Sequence, residues 1–223
     1  MAGKQNSAII DNNLQAQYMI MQAYDDYLAS RFLLNNNFGM QGSILASTSI
    51  EKYLKAILIV LKGEFAKVHL DNFIKLKSQF DDTEYGIIFD YIDRVFFDIL
   101  GKAFTFRYYD NIIDPQTIGF FINQFLGELD FTVHLFENLF RCDIGGKEWK
   151  SPYKRAIDEK LKNLFDCNYI LNKIDKKTFM TSESEVCVTY LNHINRSPFL
   201  LSLTQKHNPP YDGKIIYINV RED

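Results

Sequence analysis

Large apolar residues return every three or four positions from Leu14 onward, through Tyr18, Met21, Tyr24 or Asp25, Leu28 and Phe32. That spacing predicts a long amphipathic helix ending near Leu34, because residues three and four apart share one helix face. Asn35, Asn36, Asn37 and Gly39 stop it. A second helix is predicted from about Met40 to Leu61. Ile44, Thr48, Glu51, Leu54, Leu58 and Leu61 form one stripe, with Ile50, Tyr53 and Ile57 beside it and Gly63 as the terminator. His69 to Phe80 reads as a short third helix and about Thr83 to Lys102 as a fourth, running through Ile88, Ile92, Val95 and Ile99. After an aromatic-rich connector, Phe104 to Ile113, Pro115 restarts a fifth helix to about Phe140, with Phe121, Phe125, Leu129 and Val133 on its inner face. Helices joined by such short loops pack antiparallel.

The pattern changes after Arg141. Gly145 and Gly146 mark a boundary within Asp143 to Lys147, and Ser151 with Pro152 provides the cap and first turn of another helix to about Phe165. The period then falls to two. Val186, Val188 and Tyr190 alternate with their neighbours, Phe199 to Leu203 is a second short run, and Lys214 to Val220 follows the turn-forming Pro209 to Gly213. The expected fold is mainly α: an up-and-down helical bundle over residues 1–141, with a small α+β extension over 142–223 made of one helix and short antiparallel strands.

Composition narrows the function classes. Hydrophobic residues make up 47% and aromatics 15%, which suits a packed globular core and not a disordered chain. Cys142, Cys167 and Cys187 are far apart and have no histidine at ligand spacing, so neither a disulfide framework nor a metal site is expected. No signal-peptide core can be drawn near the start. The apolar run Ala56 to Leu61 is far short of the roughly 18 residues a membrane span needs, so a cytoplasmic protein without membrane contact is expected. Residues 1–140 hold 11 Lys and Arg against 17 Asp and Glu, a net of −6, whereas 141–223 hold 14 against 11, a net of +3. An acidic body neutralises few phosphates, so nucleic-acid contact would have to be local.

Several segments resemble a known family. Ala46, Ser47, Thr48, Ser49, Ile50, Glu51, Lys52, Tyr53, Leu54, Lys55 and Ala56 are similar to the Ala-Gln-Gln-x-x-Glu-Lys-x-x-Lys-Ala helix of the HEPN (higher eukaryotes and prokaryotes nucleotide-binding) family, with Ser47 and Thr48 replacing the paired glutamines. Asp25 and Ala29 fall where that family has Asp-x-x-x-Ala in its first helix, and Asn37-Phe38 resembles its aromatic turn. Val68, His69, Leu70 and Leu76 resemble its His-Asp-Leu segment, and Phe106, Arg107, Tyr108, Tyr109 and Asp110 its Arg-Tyr-x-Asp connector. The resemblance spans about Leu14 to Phe140. It implies a helical homodimer that binds a nucleotide or RNA, in the setting of a bacterial toxin–antitoxin or phage-defence system, with any nucleotidyltransferase-type partner on a separate chain.

Family members that cut RNA carry an arginine and then a histidine with four to six residues between them, a pair suited to acid–base catalysis on phosphate. Downstream of Arg107 those positions hold Ile112, Ile113 and Asp114, and His69, His134, His193 and His207 all lack a suitably spaced arginine. No catalytic residue is therefore expected. Phosphate loops, dinucleotide fingerprints, His-Glu-x-x-His and nucleophile elbows are absent too, and no cofactor is expected. The candidate ligand-binding residues are Arg107, Tyr108 and Tyr109, a guanidinium fork beside two rings on which a base can stack, with Glu51, Lys52, Lys55 and His69 around them. Lys147, Trp149, Lys150, Lys154 and Arg155 interleave charge with an aromatic, a pattern of a strand guide or of a solvated helix face. The competing reading of the chain is a protein–protein interaction module with no nucleotide ligand.

Overall fold

The frame of the molecule is a helical hairpin, seen in a computed structural model that describes residues 2–63, 68–70, 72–107, 116–144, 147–194 and 197–207. Helix α1 spans Ala2–Asn35 and α2 spans Gly39–Lys62. Asn37 turns the chain in the left-handed region (φ 66°), and the Phe38 amide closes the turn on the Leu33 carbonyl at 2.9 Å. Small residues then set the approach of the two helices. Ser30 Oγ donates to the Gly42 carbonyl and Ser49 Oγ to the Ala23 carbonyl, each at 2.7 Å, a pairing that only antiparallel helices can make. Gly63 ends α2 as expected, with φ 70° and its amide bonded to the Ile59 carbonyl.

The faces differ from the sequence expectation. Ala16, Ile20, Ala23, Tyr24, Tyr27 and Leu34 are the buried side of α1, whereas Leu14, Tyr18, Met21 and Phe32 are exposed and Leu28 is half-buried. Ala16, Ala23 and Ser30 on the inner face let the backbones come close, with Tyr27 and Leu34 filling the core between them. On α2 the row Ile50, Tyr53 and Ile57 is central to the core, while Ile44, Thr48 and Glu51 sit at its margin and Leu61 is exposed.

The shorter helices are more broken than their patterns suggest. The third is only α3 (Phe73–Lys77), because the Asn72 side chain caps it by accepting from the Lys75 amide at 2.9 Å. The fourth divides into a 3-10 turn (Glu84–Ile87), α4 (Ile88–Tyr91) and α5 (Arg94–Thr105). Ile92 and Asp93 are extended there, and Asp93 caps α5 by accepting from the Phe96 amide at 2.8 Å. The fifth starts seven residues later than expected: Gln116–Phe121 is strand β1, and α6 covers Ile122–Leu139. Threonine, isoleucine and phenylalanine favour strand, Gly119 weakens a helix, and pairing satisfies the backbone while Ile118 and Phe120 are buried.

Beyond α6, β2 (Asp143–Ile144) and β3 (Lys147–Glu148) form a hairpin. The helix expected from Ser151 to Phe165 is two, α7 (Pro152–Asp158) and α8 (Lys162–Phe165), because Lys160 is left-handed (φ 51°) and Leu161 is extended. Helix α9 (Lys176–Thr181) precedes β4 (Ser184–Ile194) and β5 (Ser197–His207). The antiparallel sheet runs β1–β4–β5, with Phe121 opposite Val186 and Ile194 opposite Ser197. The predicted strand Lys214 to Val220 lies outside the described residues.

The extension shares the core of the bundle. Tyr153, Ala156, Leu164 and Cys187 are buried in one apolar cluster with Tyr27, Tyr53, Phe125 and Phe136, and β1, from the first 141 residues, pairs with β4. The expected boundary at 141/142 therefore runs through continuous packing. The fold is mainly α with a small α+β part, and no helix among the described residues is long and apolar enough to cross a membrane.

Candidate functional site

Helix α2 places Thr48, Glu51, Lys52 and Lys55 at helical spacing on one side. Arg107, two residues past α5, reaches that side: its Nη1 donates to Thr48 Oγ1 at 3.2 Å and its guanidinium lies 4.0 Å from the centre of the Phe104 ring. Arg107 thus meets α2 at Thr48, one helical turn from Glu51 and Lys52 and two turns from Lys55. Glu51 is mostly buried and bonds Lys55 one turn on, and Lys52 Nζ reaches across to Asp26 of α1 at 2.8 Å. His69 does not join them; it is exposed and makes no hydrogen bond or ion pair with a described residue. Tyr108 and Tyr109 lie outside the described residues.

Chemically this is a shallow face with three cations, two of them held by internal acids. An incoming anion would take Lys52 and Lys55 by displacing Asp26 and Glu51. Both pairs are partly buried, and Glu51 more so than Asp26, so the anion would have to compensate each displaced carboxylate, Glu51 most of all. The Phe104 ring under Arg107 fixes the plane of the fork, and a fixed fork loses less entropy when it grips two oxygens. Asp26, Thr48 and Phe104 were not among the predicted site residues. Thr48 lies at helical spacing from Glu51 and Lys52, whereas Asp26 shows only once α1 is seen to pack beside α2, and Phe104 only once α5 is seen to end at Thr105.

The basic stretch after the hairpin is not offered as a strand guide. Trp149 packs against the core, Lys150 pairs with Asp158, and Lys154 approaches Glu148 at 3.9 Å.

A second polar group lies inside the bundle. Arg31, buried, donates to Asp130 and to the Asp166 carbonyl, while Tyr27 Oη donates to Asp130 at 2.8 Å and accepts from Asn168 Nδ2 at 3.3 Å. One helix repeat along α6, Glu137 accepts from Tyr53 at 2.7 Å and from Ser151, whose hydroxyl also caps α7 by accepting from the Lys154 amide at 3.2 Å. Between the acids, His134 Nδ1 is 3.0 Å from Tyr153 Oη. Burial pushes both carboxyls up, against Arg31 and Tyr27 for Asp130 and against Ser151 and Tyr53 for Glu137; burial pushes His134 down. The acids are buried beyond the reach of a ligand and join α1, α2, α6 and the extension, so this group positions helices. The spacing Asp130, His134, Glu137 on one helix face is its sequence signal. His134 is partly buried among apolar neighbours and bonded to Tyr153.

Among the described residues no group of three histidines, cysteines or acids could hold a metal ion, and no disulfide forms. No protein-family model, no curated protein and no solved structure matches the chain.

Proposed function

We propose that this is a HEPN-like protein that binds a nucleotide or an RNA segment as a homodimer and, lacking the Arg/His pair, does not cleave it. The observation that carries the reading is the placement of Arg107 on the α2 side that bears Lys52 and Lys55, at hydrogen-bond distance from Thr48 and over the Phe104 ring. A phosphate would bind the Arg107 fork with Lys52 and Lys55 beside it, as charge-assisted hydrogen bonds direct. The order of the four resembling segments supports the family reading, as does the mainly α fold. A cytoplasmic role within a toxin–antitoxin or phage-defence system, with a separate nucleotidyltransferase-type partner chain, follows from that resemblance.

The test is thermal shift against a nucleotide panel and short single-stranded RNAs, for wild type and Arg107→Ala. Stabilisation of the wild type that weakens at high salt and vanishes in Arg107→Ala is expected. Total RNA incubated with the wild type should stay intact. A flat response to every nucleotide and RNA sinks the binding reading. It would leave the interaction module, which the exposed apolar row on α1 favours.

A further inference from the structure

The outward row of α1 is spaced as a helix–helix seam. Leu14, Tyr18, Met21, Asp25, Leu28 and Phe32 follow intervals of four, three, four, three and four, the 3.5-residue period of a helix that packs along another helix. Only Leu28 of this row packs against the bundle core, half-buried: Leu14 is 39% exposed, Tyr18 63%, Met21 40% and Phe32 67%, and Asp25 is exposed with no ion-pair partner among the described residues. A surface row of this kind, about 27 Å long at 1.5 Å per residue, is what an interaction face presents.

We infer that this face is the dimer interface, and that its occupant is α1 of a second copy lying antiparallel about the level of Ala23. The inference rests on the dimeric part of the proposed function and assigns it a surface. In that register Leu14 meets the partner's Phe32 and Tyr18 meets the partner's Leu28, so an aliphatic side chain lies against each ring. A parallel pair would instead set Asp25 against its own copy in the middle of the seam, and like charges facing each other repel. The antiparallel pair offsets the two carboxylates and puts each beside a methionine at the margin.

Area favours a second copy as well. Tyr18 and Phe32, each about two-thirds exposed, carry on the order of 100–170 Å² apiece, so the four rings of a symmetric pair supply roughly half of the about 1,000 Å² that a specific interface needs. An isologous contact uses the same patch twice, which doubles a row too narrow to hold by one set of rings. The row also continues into a cleft of about 590 Å³ lined by Leu28, Phe32, Asn35, Asn163 and Cys167.

Sedimentation of the ligand-free chain tests this without reference to nucleotide. The wild type should run as a dimer, and Tyr18→Glu and Phe32→Glu should each run as monomers with unchanged helical circular dichroism. Register is read by oxidative cross-linking in a Cys167→Ser background, since Cys142 and Cys187 are buried. Leu14→Cys/Phe32→Cys should form a covalent dimer, and Asp25→Cys alone should not. A monomeric wild type, a dimer that survives both glutamate variants, or efficient cross-linking through Asp25→Cys overturns the inference. A monomer that still binds nucleotide would overturn the seam alone; a seam-dependent dimer that binds none would overturn only the nucleotide reading.

Discussion

Tyr53 of α2 and Glu137 of α6, both buried, are joined by a 2.7 Å hydrogen bond, with the Tyr53 ring stacked on Phe136 at 5.4 Å. Because the other carboxyl oxygen accepts from Ser151, one side chain ties α2, α6 and the start of α7. The apolar contacts of those elements make the core; this carboxyl fixes how they are rotated.

Tyr53→Phe keeps the ring and removes only the donor. Glu137 then loses a partner inside the bundle, which costs about 1–3 kcal/mol because a buried acceptor cannot turn to water. Ser151→Ala should cost a similar amount, since it removes the second donor and the α7 cap together. Urea unfolding checks both: a lower midpoint at unchanged slope is expected. A change within the error of the midpoint for Tyr53→Phe would remove Glu137 from the account of the fold.

Arg31 and Asp130 form an ion pair in which both side chains are essentially inaccessible. Arg31→Met strands a buried carboxylate and should cost about 3–5 kcal/mol, whereas Arg31→Met/Asp130→Leu should cost much less than the two single changes together. The arginine also holds the Asp166 carbonyl, next to Cys167, whose backbone is left-handed (φ 53°). Losing that contact should loosen the turn and speed alkylation of Cys167, the exposed thiol. Equal alkylation rates in wild type and Arg31→Met would show that the turn is held by other contacts.

These two relations also show what was legible in the sequence. The long helices, their stops at Asn37 and Gly63, and the alternating strand around Val186 to Tyr190 follow from local rules: period, turn chemistry, capping. Which face of α1 turns inward did not follow. Two rows fit a 3.5 to 3.6 period there, and the small residues of one of them, Ala23 and Ser30, admit α2 closely enough for the Ser30–Gly42 and Ser49–Ala23 hydrogen bonds. Strand β1 was hidden for a related reason, because its pairing partner lies some seventy residues away in the chain. At the candidate site the sequence offered Arg107 and the α2 residues but not their geometry, since the Thr48 and Phe104 contacts depend on where α5 ends.

Alkali should expose the buried tyrosines. Burial, with Glu137 and Asp25 nearby, pushes Tyr24 up to about 12, and burial raises Tyr27, Tyr53 and Tyr153 well above the ordinary value near 10. A group whose pKa is raised by folding keeps its proton longer in the folded state, so its stabilisation is complete below pH 10 and is lost as pH rises from 10 through 12 and beyond. The melting temperature should therefore fall steeply above pH 10. Phenolate absorbance at pH 11 should be incomplete in the folded protein and jump on adding denaturant. Full phenolate absorbance at pH 11 with the fold intact would contradict the burial of these four rings.

Gly39 opens α2 where β4 crosses it. A methyl group there would fall on the Cys187 side chain, closer than Cβ atoms come to any neighbour, and Cys187 is itself buried in the core. Two effects oppose each other in Gly39→Ala. Alanine favours helix over glycine by about 0.5–1 kcal/mol, while forcing extra volume into a packed site costs about 1–3 kcal/mol. The second prevails, because the obstacle is the short side chain of a paired strand and not the far end of a flexible one. Gly39→Ala should be destabilised, and Gly39→Ala/Cys187→Ala should lose less than the two single variants together, since the second change vacates the space the first needs. Both are read by thermal unfolding. A Gly39→Ala variant more stable than wild type would mean that helix propensity decides at this position and that β4 stands further from α2 than described.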